Sequence, residues 1–201
     1  MPQHLIIGCA IIRNFLTGNV FNVDGIIIVN ILNETYDMKT LIIVRHAKSS
    51  WANIGQKDFD RPLNERGKKD APEMAKKLLQ ANIKIDAFVS STAKRARKTA
   101  KAFMDVLGID KDEMILLDNL YNAPANVFYN SIAQLDDVHN TVAIFAHNPG
   151  ITDFVNTLCD TVKIDEMPTC GVFAVKIPIT QWKDFKETER EFLFFKYPKE
   201  D

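Results

Sequence analysis

From Met38 onward the chain alternates short apolar runs with longer amphipathic stretches. The runs are Leu41–Val44, Ala87–Val89, Met114–Leu117, Val142–Ala146 and Val172–Ile177. Most are rich in β-branched or aromatic residues and lack strict polar alternation, the pattern of strands buried on both faces of a parallel sheet. Glu65 to Gln80 places Ala71, Met74, Ala75, Leu78 and Leu79 on one helical stripe, with Pro72 expected in or near the first turn, where proline is tolerated. Thr92 to Leu107 predicts a second helix, capped by Ser90-Ser91 and ended by Gly108. Val127 to Leu135 predicts a shorter third helix after Pro124. Asn148-Pro149-Gly150 opens a fourth, with Asn148 as cap, Pro149 at the first helical position and a body from Ile151 to Cys159. Glu191–Tyr197 could add a last strand. This order predicts a three-layer α/β/α domain with a mostly parallel central sheet.

Residues 1–37 depart from that pattern. They hold two apolar runs, Leu5–Ile12 and Ile26–Leu32, neither close to the roughly 20 residues of a membrane-spanning helix. The first residues lack a Lys/Arg cluster, and no Ala-x-Ala-like site follows the first run, so a signal peptide fits poorly. Met38 runs straight into a strand and reads as a natural chain start. The expected organisation is therefore an N-terminal appendage over 1–37, disordered or added by an upstream start assignment, and one domain over 38–201. A membrane-associating or sheet-extending segment is the competing reading.

Composition narrows the function classes. The 201 residues are 46% apolar and 25% charged, ordinary for a globular chain and wrong for disorder throughout or a disulfide scaffold. The 25 basic and 26 acidic residues leave a net charge of −1, which does not favour nucleic acid as a partner. Cys9, Cys159 and Cys170 form no CxxC pair, so no zinc cluster is indicated. They read as buried or incidental thiols in a reducing, cytoplasmic setting.

Open α/β sheets bind ligands beyond the carboxyl ends of their strands. The first run ends in Arg45-His46. The second ends in Ser90-Ser91, with Arg95 one turn into the next helix, and the fourth ends in His147-Asn148-Pro149-Gly150. Two arginines and two histidines should therefore meet at one sheet edge. Each alone is more often a structural residue; the coincidence of four points to chemistry. Paired guanidinium groups suit a phosphoryl group, because each fork matches its oxygens. Neutral imidazole is a nucleophile, and phosphoryl transfer mainly demands positioning and charge stabilisation.

The stretch Leu41 to Ser49, with Arg45-His46, resembles the Arg-His-Gly motif of the histidine phosphatase (phosphoglycerate mutase-like) superfamily. Ser90 to Ala100 is similar to that family's second arginine motif, and His147 to Gly150 to its second-histidine motif. Asp60-Arg61-Pro62-Leu63-Asn64-Glu65-Arg66-Gly67 resembles the RPL-x-x-x-G stretch of the small SixA-type phosphohistidine phosphatases. The resemblance implies that His46 is the phosphorylated nucleophile, that Arg45 and Arg95 hold the phosphoryl oxygens, and that His147 stabilises the transferring group. It implies no metal and no cofactor.

Some positions depart from the family pattern. Ala47 replaces the usual Gly, which requires a φ below zero there. Lys48 replaces the Glu of the mutase branch and points either to solvent or into the phosphate pocket. The family's usual proton donor is a carboxylate; here Asp118 is an unassigned candidate and Asn122 cannot serve. Trp51 is read as a wall of the pocket or a cover for a phosphoprotein loop, and Trp182 as packing in a C-terminal connection. Lys94, Arg95, Arg97, Lys98 and Lys101 form a basic stretch that reads as a mostly solvated helix surface able to steer anions. The expected function is a metal-independent phosphatase with a phosphohistidine intermediate, acting on protein phosphohistidine. The alternatives are a small-molecule phosphomonoesterase, acting on a phosphorylated metabolite, and a non-catalytic phosphoprotein-binding module. No nucleic-acid or membrane partner is expected.

Overall fold

Apolar side chains that alternate along a strand need cover on both sides, and this chain supplies it with helices. The computed structural model describes residues 38–52 and 55–199, together with two short strands upstream. Those strands, β1 (Val20–Val23) and β2 (Ile26–Val29), pair antiparallel. The chain divides into two units, 1–35 and 36–201. Leu5–Ile12, His4 and Cys9 lie outside the described residues. Among the described residues no helix is long and apolar enough to cross a membrane.

The larger unit holds a six-stranded sheet of β3 (Lys39–Arg45), β4 (Ala87–Ser91), β5 (Met114–Leu117), β6 (Thr141–Ala146), β7 (Val172–Ile177) and β8 (Glu191–Lys196). The spatial order is β5-β4-β6-β3-β7-β8. The first four are mutually parallel, whereas β7 runs antiparallel to β3 and β8 antiparallel to β7. The sheet is mostly parallel, as expected. Leu41 and Ile43 of β3 enter one core with Val142 and Ile144 of β6, while Ile42 and Val44 enter a second core with Ala143 and Phe145. Helices α1 (Glu65–Gln80) and α2 (Lys94–Leu107) cover the second core. Helices α3 (Ala125–Ile132) and α4 (Gly150–Val155) cover the first, which completes the three layers.

Four local readings need correction. Pro72 is the eighth residue of α1, not part of its first turn. An interior proline costs about 3 kcal/mol. The buried Met74 and Leu78 beside it contribute roughly 1.5–3 kcal/mol each, so the helix continues. Asn148 does not cap α4: Pro149 occupies the cap position, the Asn148 side chain accepts a hydrogen bond from the Thr152 hydroxyl at 2.9 Å, and the helix ends at Val155. The Asn148–Pro149 peptide is cis. α2 starts at Lys94, and Ser91 reaches only as far as the Ala93 amide, at 3.3 Å. Finally, β5 is not buried on both faces, because it is the sheet's outermost strand; Ile115 and Leu116 are exposed.

Candidate active site

The parallel register brings the candidate residues together. Arg45 of β3 pairs with Ala146 of β6, so His46 and His147 leave adjacent strands at the same height. Their ring centroids are 5.0 Å apart. β4 lies on the other side of β6 and delivers Ser91 and then Arg95 to the same edge. A cavity of about 430 Å³ opens there, lined by Arg45, His46, Arg95 and His147 among others. All four residues expected at the site are in it.

Two glycines let the surrounding loops close on this edge. A Cβ on Gly67 would sit 2.2 Å from the Lys48 carbonyl oxygen, so the start of α1 can pack against the loop after His46 only with glycine there. A Cβ on Gly150 would sit 1.7 Å from the Ala123 carbonyl oxygen, which ties the start of α4 to the chain entering α3. Asn64 caps α1 by accepting from the Gly67 amide at 2.9 Å. Cys170 donates its amide to the Arg45 and His46 carbonyls and so pins the end of β3. Its thiol is buried, which pushes its pKa up and keeps it protonated.

His46 Nδ1 lies 2.8 Å from the Ala47 carbonyl oxygen and therefore carries the proton. Its Nε2 accepts from Arg95 Nε at 3.1 Å, which places the lone pair of the neutral ring on Nε2. Burial lowers the His46 pKa to about 3; the Ala47 hydrogen bond opposes this, and the charges of Arg95, Arg45 and Arg61 add to it. His147 is likewise lowered to about 2, by burial first and then by His46 and Arg95. Its Nε2 is 2.9 Å from Ser91 Oγ, and that oxygen already accepts from the Ala93 amide. With the Ser91 hydroxyl donating to Nε2, the neutral His147 ring carries its proton on Nδ1. That Nδ1 is buried without a hydrogen-bond partner among the described residues.

Asp58 organises the arginines. Its carboxylate accepts from Arg61 Nη1 at 2.7 Å, from Arg95 Nη2 at 2.9 Å and from the Tyr121 hydroxyl at 2.8 Å. Its carbonyl accepts from Arg95 Nη1 at 2.6 Å. Partial burial pushes the Asp58 pKa up, but the Arg61 and Tyr121 hydrogen bonds and the Arg95 charge outweigh it and leave the value at about 2. Arg61 also donates to Ser49 Oγ at 2.6 Å and stacks over Trp51, 3.2 Å from the ring centroid. Trp51 therefore walls the pocket. Arg45, also in the cavity wall, is ion-paired to Glu166 at 2.9 Å and donates to the Met167 carbonyl.

Sequence reasoning missed Asp58, Arg61, Tyr121 and Glu166 as parts of this network. Arg61 was within reach, because it opens the RPL stretch. Asp58 lay three residues before it, an ion-pair spacing that had no partner motif to mark it. Asp118 is exposed and does not line the cavity. Lys48 is exposed at the cavity mouth, which reconciles its two readings. Ala47 avoids the positive-φ region, as its side chain requires. Trp182 is buried and donates to the His139 carbonyl at 2.9 Å, a packing role.

Residues 41–123 match the family model of the histidine phosphatase superfamily (branch 1). Among solved structures, a protein of Agrobacterium tumefaciens assigned as the phosphohistidine phosphatase SixA is 27% identical, with a TM-score of 0.66. The similarity covers 80% of this chain and 98% of that one. The chain thus resembles the histidine phosphatase superfamily in sequence over residues 41–123 and shares the fold of the Agrobacterium protein over 80% of its length. Two curated relatives match over shorter lengths. An uncharacterized chloroplastic protein of Arabidopsis thaliana is 39% identical over 64 residues, 32% of this chain and 29% of that protein. The 2,3-bisphosphoglycerate-dependent phosphoglycerate mutase of Bartonella tribocorum is 37% identical over 81 residues, 38% of each chain. The chain thus spans about a third of the length of these two relatives.

Proposed function

We propose that this chain is a metal-independent phosphatase that forms a phosphohistidine on His46 and acts on protein phosphohistidine in a reducing, cytoplasmic setting. The observation that carries the reading is the state of His46: a neutral ring, its Nδ1 proton held by Ala47, its Nε2 lone pair beside Arg95 at 3.1 Å. Nε2 attacks phosphorus, and the leaving group departs with its bonding pair. Water then attacks the phosphoryl group, the N–P bond breaks, inorganic phosphate leaves and His46 returns to its starting form. Arg45, Arg95 and Arg61 supply the positive charge that phosphoryl oxygens require. His147 Nδ1–H donates to an oxygen of the transferring group, which gives that buried donor its partner.

The leaving group favours phosphohistidine over an alkyl ester. An alkoxide needs a proton in the transition state, and general acid catalysis typically supplies about 10²–10⁴-fold. Among the described residues lining the cavity Asp58 is the one carboxylate, and its low pKa keeps it ionised. An imidazole leaving group needs less help. The likeness to the Agrobacterium protein assigned as a phosphohistidine phosphatase supports the same substrate class.

A turnover panel with chelator present throughout tests the proposal, comparing a phosphohistidine protein, an aryl phosphate and sugar phosphates. kcat/KM should fall steeply as leaving-group pKa rises. A flat profile extending to sugar phosphates would favour a small-molecule phosphomonoesterase. Binding without turnover of any of them would favour a phosphoprotein-binding module.

A further inference from the structure

Helix α2 opens against electrostatic preference. Its cap position, Ala93, gives no side-chain hydrogen bond, and its first turn holds no acid. Instead Lys94 and Arg97 stand there, with Lys98 next. Cations at a helix N-terminus oppose the macrodipole, at about 0.3–1 kcal/mol each. Lys94, Arg97, Lys98 and Lys111 make no ion pair among the described residues, whereas Lys101 is paired to Asp105. Helix stability does not explain this cluster.

The cluster, with Lys101 and the single acid Asp112, rims a second cavity, of about 580 Å³, between α2 and β5, whose apolar residues are Met114 and Leu116. β5 is the sheet's outermost strand, and Ile115 and Leu116 are 38% and 45% exposed. Strand edges are ordinarily blunted by a charge, a proline or a bulge. Met114-Ile115-Leu116-Leu117 carries neither a charge nor a proline, and its pairing with β4 runs without a shift. An apolar floor, a cationic rim and an unpaired backbone edge are what an extended acidic peptide would engage. Nucleic acid would use the charge but not the backbone edge.

We propose that this groove docks an extended acidic segment of the phosphoprotein substrate, on the reading of the active site given above. The placement suits it: Lys94 lines the groove and the next residue, Arg95, lines the catalytic cavity, so both meet the start of α2. The phosphorylated side chain would enter that cavity while the acidic segment lies along β5.

Two phosphohistidine peptides, prepared with phosphoramidate, test it on the full chain. One carries a segment of alternating Glu and Val beside the phosphohistidine; the other has Gln for each Glu. The acidic peptide should show a kcat/KM about tenfold higher at low salt, with the advantage lost at high salt, where exposed charges are screened. Arg97→Glu with Lys98→Glu should remove the advantage while leaving aryl phosphate turnover unchanged. Equal kcat/KM for the two peptides, or an advantage that survives the double variant, would overturn the docking proposal. Failure of the phosphohistidine reading looks different: neither peptide turns over. Fluorescence anisotropy of the unphosphorylated, labelled Glu/Val peptide then still decides the groove. Affinity lost in the double variant supports it; no binding, or tighter binding of a single-stranded oligonucleotide, overturns it.

Discussion

Two groups of basic side chains lie within a few residues of each other on and around α2, and their charges do different work. Arg61 and Arg95 are buried, and each donor is fixed on Asp58, Ser49, Ser50 or His46. Arg97 and Lys98, two and three residues beyond Arg95, are exposed and without ion pairs. Burial lowers the pKa of both His46 and His147, and the Arg95 charge adds to it at each, with Arg61 adding at His46, because low local dielectric leaves charge unscreened. The exposed pair leaves no such mark and can act only on what approaches from solution. Residue type is the same; burial and fixed partners decide the difference.

The largest effect should come from His46, the nucleophile of the proposed mechanism, which the buried group serves. His46→Ala should abolish turnover and the acid-labile labelling of the protein by substrate phosphate. Substantial residual turnover would place the nucleophile elsewhere and empty the comparison of its meaning.

Arg95→Ala set against Arg97→Ala is its direct form. The first should cut kcat/KM for an aryl phosphate about 10²–10³-fold, the scale of a lost preorganised donor. The second should change it by less than about twofold, as expected of a screened surface charge. Equal losses would mean that burial is not the deciding variable.

Asp58→Asn probes the fixing of the arginines while leaving their charge in place. The expected loss is about tenfold in kcat, the scale of one weakened charged hydrogen bond, with KM little changed. A rise in KM with kcat intact would instead mark Asp58 as a substrate-binding group.

The pH dependence sharpens the electrostatic side. His46 and His147 titrate lower in the folded chain than the ordinary histidine value of 6.5. The unfolded chain takes up those protons first, so stability should fall as pH drops below about 6.5 and continue falling towards the folded values near 3 and 2. Thermal melts from pH 7 to 4 check this, and His147→Asn should give the shallower slope. An identical slope would contradict a neutral, buried His147. The smallest effect should come from removing residues 1–37: we propose that a chain starting at Met38 folds and keeps full activity, read by aryl phosphate turnover. Loss of folding or activity would show that the upstream segment packs on the domain.

The sequence by itself determined the main strands and helices of the larger unit and the four side chains gathered at the sheet edge. Apolar runs of three to six residues are best satisfied between two helix layers. Each of Arg45, His46, Arg95 and His147 stands at or just beyond a run's carboxyl end, where such a sheet exposes its ligand edge. Only the tertiary structure decided the rest. Strand order made Met114–Leu117 an exposed edge although its composition matches a buried strand. It also turned β7 antiparallel, since neighbour direction depends on where the chain returns. Asp58, Tyr121 and Glu166 entered the network through partners 37, 63 and 121 residues away. Contacts at such separations leave no periodic trace in the chain, because they are set by how loops close over the sheet edge and not by any local preference.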